Sequence, residues 1–417
     1  MPQSSVPRPP RLIACAQTAS EDLMSRLLPP MQTVSTGLVV AVVGFFSSFP
    51  IVLQGLAGIG ASADEAASGL MAAAVSMGIT GVLLSLWYRA PISVAWSTPG
   101  AALLAVSATP AEGFSGAIGA FLCAGALTVL AGLWKPLARL AASIPTSLAQ
   151  AMLAGVLLPL CITPFRAAAE LPLQTLPVIL TWFIAGRISR AFAVPAAVLA
   201  AMLMVILNAG GQSVIPDQIL TKPVLTAPSF SLATAIGIGI PLFIVTMATQ
   251  NIPGIAVLRS YGYTPPAGPL LSSAGGASLL FAPFGAPATC LAAITAAMCS
   301  NEDSHPDPTL RYWSAVMAGV FYCLFGVFAA AITGFAAHAH PLLMGTLTGI
   351  ALIGVFANAT FAALEVQAER EAAILTFAIT ASGVTVFGIG AAVWGLLAGS
   401  AAFWITRRTR PENIARR

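Results

Sequence analysis

Charged residues divide the chain into long uncharged stretches at 27–63, 66–88, 90–111, 113–134, 140–165, 191–216, 223–258, 260–301, 312–364 and 372–406. A helix needs roughly 20 apolar residues to cross a hydrocarbon core of about 30 Å, so each stretch holds one span or two. Barrel strands would instead give segments of about 10 residues with alternating polarity. The pattern predicts spans near 32–57, 66–87, 91–108, 113–134, 146–164, 172–189 and 192–209. A second set falls near 231–253, 266–281, 285–300, 311–335, 340–358, 371–387 and 389–406. The polar stretch 210–228 separates the sets, which makes the count seven plus seven.

Composition narrows the class further. Of 417 residues 58% are hydrophobic and 8% charged, and mean hydropathy is +0.90. A soluble domain carries about 25% charged residues, so soluble enzymes and disordered chains are excluded and the lipid bilayer is the expected surrounding. The net charge of +4 is not clustered into the basic face that nucleic acid requires, so no nucleic-acid partner is expected. The expected fold class is therefore an all-α polytopic membrane protein with about 14 transmembrane segments. The cysteines within apolar segments, such as Cys123 and Cys161, read as small hydrophobes rather than a disulfide framework. Leu12-Ile13-Ala14-Cys15 looks like a lipoprotein cleavage box, but no apolar core precedes it, so a cleaved signal is not expected.

Lys and Arg collect in short cytoplasmic loops, which tests the count. With a cytoplasmic N-terminus, the inside connections carry Arg89, Lys135, Arg139, Arg187, Arg190, Arg259, Arg311 and Arg370. Of the 18 basic residues only Arg166 and Lys222 then fall outside. Both termini are expected to be cytoplasmic in a multi-pass inner-membrane protein, with tails at 1–30 and 407–417. The repeats would be 31–210 and 230–406, joined by an extracytoplasmic linker at 211–229. An odd number of spans per half inverts one half relative to the other. Two echoes agree: Thr98 to Ala105 lines up with Ala286 to Ala293, and Phe49-Pro50 with Ile252-Pro253. In transporters, inverted repeats place the substrate at their interface near the midplane.

The third span of each half is interrupted. Trp96-Ser97-Thr98-Pro99-Gly100 precedes one helix-compatible run, and Pro283-Phe284-Gly285-Ala286-Pro287 precedes another from Ala288 to Ala297. Pro suits the first turn of a helix. Each site reads as an extended segment leading into a half-helix, with N-termini expected at Gly100-Ala101 and at Ala286 to Thr289. Their unpaired N–H groups would suit a carboxylate; the competing reading is an ordinary Pro kink. In the first span of each half, Gln54 and the pair Gln250-Asn251 are amides that need either a ligand or a neighbouring helix as partner. Phe45 and Phe49 offer an aromatic wall or plain core. No Asp or Glu falls in the middle of a predicted span, the three histidines lie near span ends, and no nucleotide, hydrolase or metal motif occurs. Neither an enzyme nor a cofactor is implied.

The stretches Val43-Gly44-Phe45, Tyr88-Arg89-Ala90-Pro91 and Ala95-Trp96-Ser97-Thr98-Pro99-Gly100-Ala101 resemble the benzoate:proton symporter family, often called BenE. So do Thr249-Gln250-Asn251-Ile252-Pro253-Gly254, Phe284-Gly285-Ala286-Pro287 and Leu291-Ala292-Ala293-Ile294-Thr295-Ala296-Ala297, within a match running from about residue 30 to 406. The resemblance implies two inverted seven-span repeats with core and gate domains and half-helices in spans 3 and 10, similar to nucleobase symporters and anion exchangers. Spans 1 to 4 and 8 to 11 would form the core. It points to Thr98, Gly100, Ala101, Gln250, Asn251, Gly285 and Ala286 as substrate-binding positions, beside Thr289, Phe45, Phe49 and Gln54 from the residue pattern. It implies import of an aromatic carboxylate such as benzoate with a proton, and it leaves a homodimer open. Two departures stand out: Cys290 replaces the family's usual Asn, and the carboxylates of the nucleobase relatives in spans 8 and 10 are missing. A nucleobase or other small-anion transporter on the same fold is the alternative, with a passive channel or an intramembrane enzyme further behind.

Overall fold

The computed structural model describes residues 28–208, 218–386 and 389–409. Most of the expected N-terminal tail, part of the linker and the end of the C-terminal tail therefore lie outside the described residues. The first half runs α1 (Met31–Phe46), α2 (Phe49–Gly58), α3 (Ala63–Tyr88), β1 (Val94–Trp96), α4 (Thr98–Ala105), α5 (Phe114–Leu133), α6 (Lys135–Ser143), α7 (Thr146–Glu170), α8 (Pro172–Ile188) and α9 (Ala193–Asn208). The second half opens with α10, a helix with two π turns over Leu232–Ser260. It continues with α11 (Ala267–Phe281), β2 (Thr289–Leu291), α12 (Ile294–Ser300), α13 (Tyr312–Val327), α14 (Ala329–His338), α15 (Pro341–Leu364), α16 (Arg370–Ala381) and α17 (Ala391–Thr409).

Among the described residues, seven helices are long and apolar enough to cross a membrane alone, and α13 with α14 makes an eighth bent by 54°. Of the six remaining expected spans two are half strand and half helix, α8, α11 and α16 stop within 17, 15 and 12 residues, and α17 is a shorter apolar helix over Ala391–Thr406. Proline sets the breaks. Its ring clashes with the preceding turn and it donates no N–H. The first span accordingly divides at Ser47-Ser48 ahead of Pro50, and the π turns Ala235–Gly239 and Met247–Asn251 sit just before Pro241 and Pro253.

The halves are interwoven. Helix α3 packs on α13 while α11 packs on α5; α1 packs on α13 while α10 packs on α5; α8 pairs with α9 as α16 pairs with α17; and α7 and α15 pack on each other. This exchange is what two copies related by a two-fold axis produce. Small residues bring the seams close, as expected where lipid offers no hydrophobic drive. A Cβ on Gly78 would lie 2.5 Å from the Gly319 carbonyl oxygen, and one on Gly275 would lie 2.9 Å from that of Gly125.

The bend at Phe328 frees a carbonyl and an N–H, and the segment before α10 satisfies both. Thr221 donates its N–H to the Val327 carbonyl at 3.0 Å and its hydroxyl to the same oxygen at 3.1 Å. Its oxygen accepts the Ala330 N–H at 2.7 Å, which caps α14 from a distant part of the chain. Replacing Thr221 by Val keeps the shape but removes the cap, at a cost of about 1–2 kcal/mol. Thermal unfolding in detergent should show a lowered midpoint for Thr221→Val and a retained one for Thr221→Ser.

Candidate functional site

A chain unwound inside hydrocarbon must find partners for its backbone groups, because each unpaired one costs several kcal/mol. Helix α3 ends at Arg89, which is left-handed with φ 48°, and Pro91 bars the helix from resuming through the residue before it. Strand β1 then pairs antiparallel with β2, setting Val94 opposite Leu291, Ala95 opposite Cys290 and Trp96 opposite Thr289. Flanking bonds extend the ribbon, from Ser97 N–H to the Ala288 carbonyl (2.9 Å) and from Ala292 N–H to the Ser93 carbonyl (3.0 Å). The outward N–H groups of β2 go to side chains of neighbouring spans. Thr289 donates to Ser278 Oγ at 2.9 Å and Leu291 to Asn251 Oδ1 at 2.9 Å. The two interrupted spans thus complete each other.

Each strand runs into a short helix. Ser97 caps α4: its Oγ accepts the Gly100 N–H at 3.0 Å and the Thr246 hydroxyl of α10 at 2.8 Å. In the second half the expected helix from Ala288 to Ala297 is corrected. Residues 289–291 are strand and the half-helix α12 starts at Ile294. Across the ribbon Ala95 faces Cys290, so three residues on Thr98 corresponds to Ala293, whereas the sequence echo had aligned Thr98 with Ala286. Backbone pairing, rather than Pro287, determines where the second half-helix begins. Its far end is held by Arg311, buried, which donates to the carbonyls of Ser300 (2.8 Å), His305 (2.7 Å) and Pro306 (3.2 Å). A guanidinium at a helix C-terminus complements the dipole. Nearby, burial pushes the Tyr263 phenol above its ordinary pKa against the pull of Arg311, and its hydroxyl donates to the Pro308 carbonyl at 2.8 Å.

The expected site residues fall into three groups. Thr98, Gly100 and Ala101 form the first turn of α4, with Thr98 half-buried and the other two buried. Gln250 lies half-buried in the π turn of α10, with no hydrogen-bond partner among the described residues, and the Oε1 of Gln54 is buried and equally unpartnered. The second group supports the backbone. Asn251 is fully buried, with its oxygen on Leu291 N–H and its amide nitrogen donating to Met247 Sδ at 3.3 Å. Thr289 shares a 2.7 Å hydrogen bond with Ser76. Gly285, at φ +90°, and buried Ala286 lie in the turn ahead of β2, and a Cβ on Gly285 would meet Gly69 Cα at 3.1 Å. The third group is aromatic. Phe45 stacks on Phe49 at 6.1 Å and meets Trp96 edge-on at 5.3 Å, while Trp96 donates to Ser48 Oγ at 2.9 Å. Ser278 was not singled out in the sequence, whereas Ser97 stands in the interrupted third span and Ser48 and Thr246 are polar positions ahead of the Pro in the first span of each half. Ser97 also carried a cap signal, as a Ser directly before a Pro-containing helix start.

A helical bundle with two paired, unwound spans and half-helices inside it defines a membrane transporter with the inverted-repeat fold. Solved structures of that fold agree. The transmembrane domain of the cyanobacterial bicarbonate transporter BicA aligns with a TM-score of 0.59 at 16% identity, over 89% of this chain and 98% of that one. The murine Slc26a9 anion transporter in its inward-facing state gives a TM-score of 0.59 at 11% identity, over 91% and 68%. The chain belongs to the benzoate membrane transport protein family, whose model matches residues 29–405. It is 38% identical to the inner membrane protein YdcO of Escherichia coli over 92% of this chain and 98% of that one. It is 29% identical to the benzoate membrane transport protein of Acinetobacter baylyi over 88% and 93%. It is a transporter and not an enzyme.

The Asn251 bond to the ribbon is directly testable. Asn251→Leu strands the buried Leu291 N–H, a loss of about 1–3 kcal/mol, whereas Gln250→Leu removes no hydrogen bond among the described residues. The melting temperature of purified protein should fall clearly for the first variant and little for the second.

Proposed function

We propose that the protein imports benzoate or a similar aromatic carboxylate together with a proton, across an inner membrane in which both termini are cytoplasmic. The observation that carries this reading is the start of α4 at the ribbon, packed by the polar face of α10 and close to the aromatic group at Phe45. Membership of the benzoate transport family supports the substrate class. The N-terminal turns of α4 and α12 face the carboxylate, Gln250 donates its amide to it, and Phe45 or Phe49 meets the ring. Asn251, Thr289, Gly285 and Ala286 hold the ribbon from which the half-helices project. Core spans 1 to 4 and 8 to 11 move against the remaining gate spans, with repeats at 31–210 and 230–406, in the rocking motion expected of such repeats.

The proton travels with the substrate. The described acids are at helix ends, loops and span termini, so the substrate carboxylate is the group that binds the proton. A nucleobase or inorganic anion is the second reading, and competition by uracil or sulfate separates it from the first.

Uptake of radiolabelled benzoate into proteoliposomes should accumulate under an inward proton gradient and not without one. Accumulation independent of the gradient would remove the proton, and no accumulation by folded protein would remove benzoate. Gln250→Ala should raise KM roughly tenfold or more, the worth of a hydrogen bond to a charged group of about 1.5–3 kcal/mol, with unchanged expression. Unaltered KM would take Gln250 out of the site.

A further inference from the structure

We propose that a cavity between the first span and the segment 329–347 is a binding site for uncharged, ring-sized apolar molecules, beside the half-helix site and distinct from it, the two meeting at Phe49. The cavity measures about 150 Å³ and every side chain lining it is apolar, among them Phe46, Phe49, Ala201, Ile332, Ala336 and Leu343. A dry apolar cavity of about 150 Å³ readily takes benzene. The rings of Phe46 and Phe49 stand edge to face, 6.1 Å apart at 83°, and present an aromatic wall of the kind that packs a further ring. The same lining excludes the transported acid. A carboxylate would find no hydrogen-bonding side chain there, and burying it unpaired is prohibitively costly. The chemistry selects a neutral ring such as benzene, toluene or a halobenzene.

The position gives occupancy a consequence. The walls come from α1, α2 and α14 of core spans 1 and 11 and from α9 and α15 of gate spans 7 and 12. The direction of α14 is fixed at its start by the Thr221 cap. A molecule seated here ties these elements together and opposes their relative movement. That consequence rests on the core-against-gate reading above; the binding itself does not.

The test uses fluorobenzene and the full-length protein in nanodiscs, followed by fluorine NMR. Wild-type protein should give a saturable, shifted signal, and both Ala201→Leu and Ala336→Leu, which fill the cavity from different helices, should lose it while keeping the wild-type elution profile. The same signal in all three proteins would mean partition into lipid and would overturn the site, as would no saturable signal in the wild type. In proteoliposomes, fluorobenzene should lower the maximal rate of benzoate uptake at unchanged KM, and should spare the filled variants. A rise in KM alone would make the cavity the ring pocket of the transported acid and overturn the separation. If benzoate is not transported at all, the NMR result still decides binding.

Discussion

Everything in the centre of this protein depends on one requirement: two stretches of extended backbone inside hydrocarbon must have all their polar groups paired. Neither stretch can do this alone. The antiparallel pairing of 94–96 with 289–291 solves it by letting each half of the chain complete the other. The outward N–H groups of β2 are met by side chains from neighbouring helices, Ser278 on α11 and Asn251 on α10. Interweaving of the halves is a consequence. A ribbon that joins the third span of one half to the third of the other obliges α3, α5, α11 and α13 to pack across the division.

The same requirement explains why polar side chains cluster where charges are absent. Thr246 reaches Ser97, Ser93 donates to Thr295 at 2.7 Å, and Ser76 meets Thr289. These are short hydroxyl bridges that fix the half-helices without placing an ion in the bilayer. Arg311 does its work at the end of α12, outside the spans, where a buried cation is answered by three carbonyls. Gln250, with no hydrogen-bond partner among the described residues, and Gln54, whose Oε1 is buried and unpartnered, stand beside the breaks in the two first spans, while Thr333, Thr348 and Thr380 carry unpartnered hydroxyls elsewhere. An open amide beside an interrupted span is where a ligand gains by binding.

Much of the fold was legible because hydrocarbon thickness imposes length and charge on every loop. The limits of α3, α5 and α15 lie close to those expected from the uncharged runs, and Phe49-Pro50 and Ile252-Pro253 do fall beside the breaks of the first spans. The second half-helix was misplaced for an instructive reason. Pro287 looked like a helix start, yet it leads into a strand, because the partner that holds residues 289–291 extended lies some two hundred positions away and leaves no local trace. The roles of Asn251 and Thr289 were hidden in the same way. An amide in an apolar run needs a partner, but the sequence does not show whether that partner is a ligand or a strand. The Thr221 cap at the α13–α14 bend was invisible for the same cause.

The central claim is that the ribbon holds a carboxylate site at the start of the two half-helices, beside Gln250. The most direct measurement is a structure of the protein bound to 4-iodobenzoate, with the iodine located by anomalous scattering and the carboxylate by its density. The account predicts the carboxylate at the first turns of α4 and α12, within hydrogen-bond reach of Gln250, and the iodine among the aromatic side chains of the first span. A carboxylate bound elsewhere, with the half-helix turns and Gln250 untouched, would contradict it.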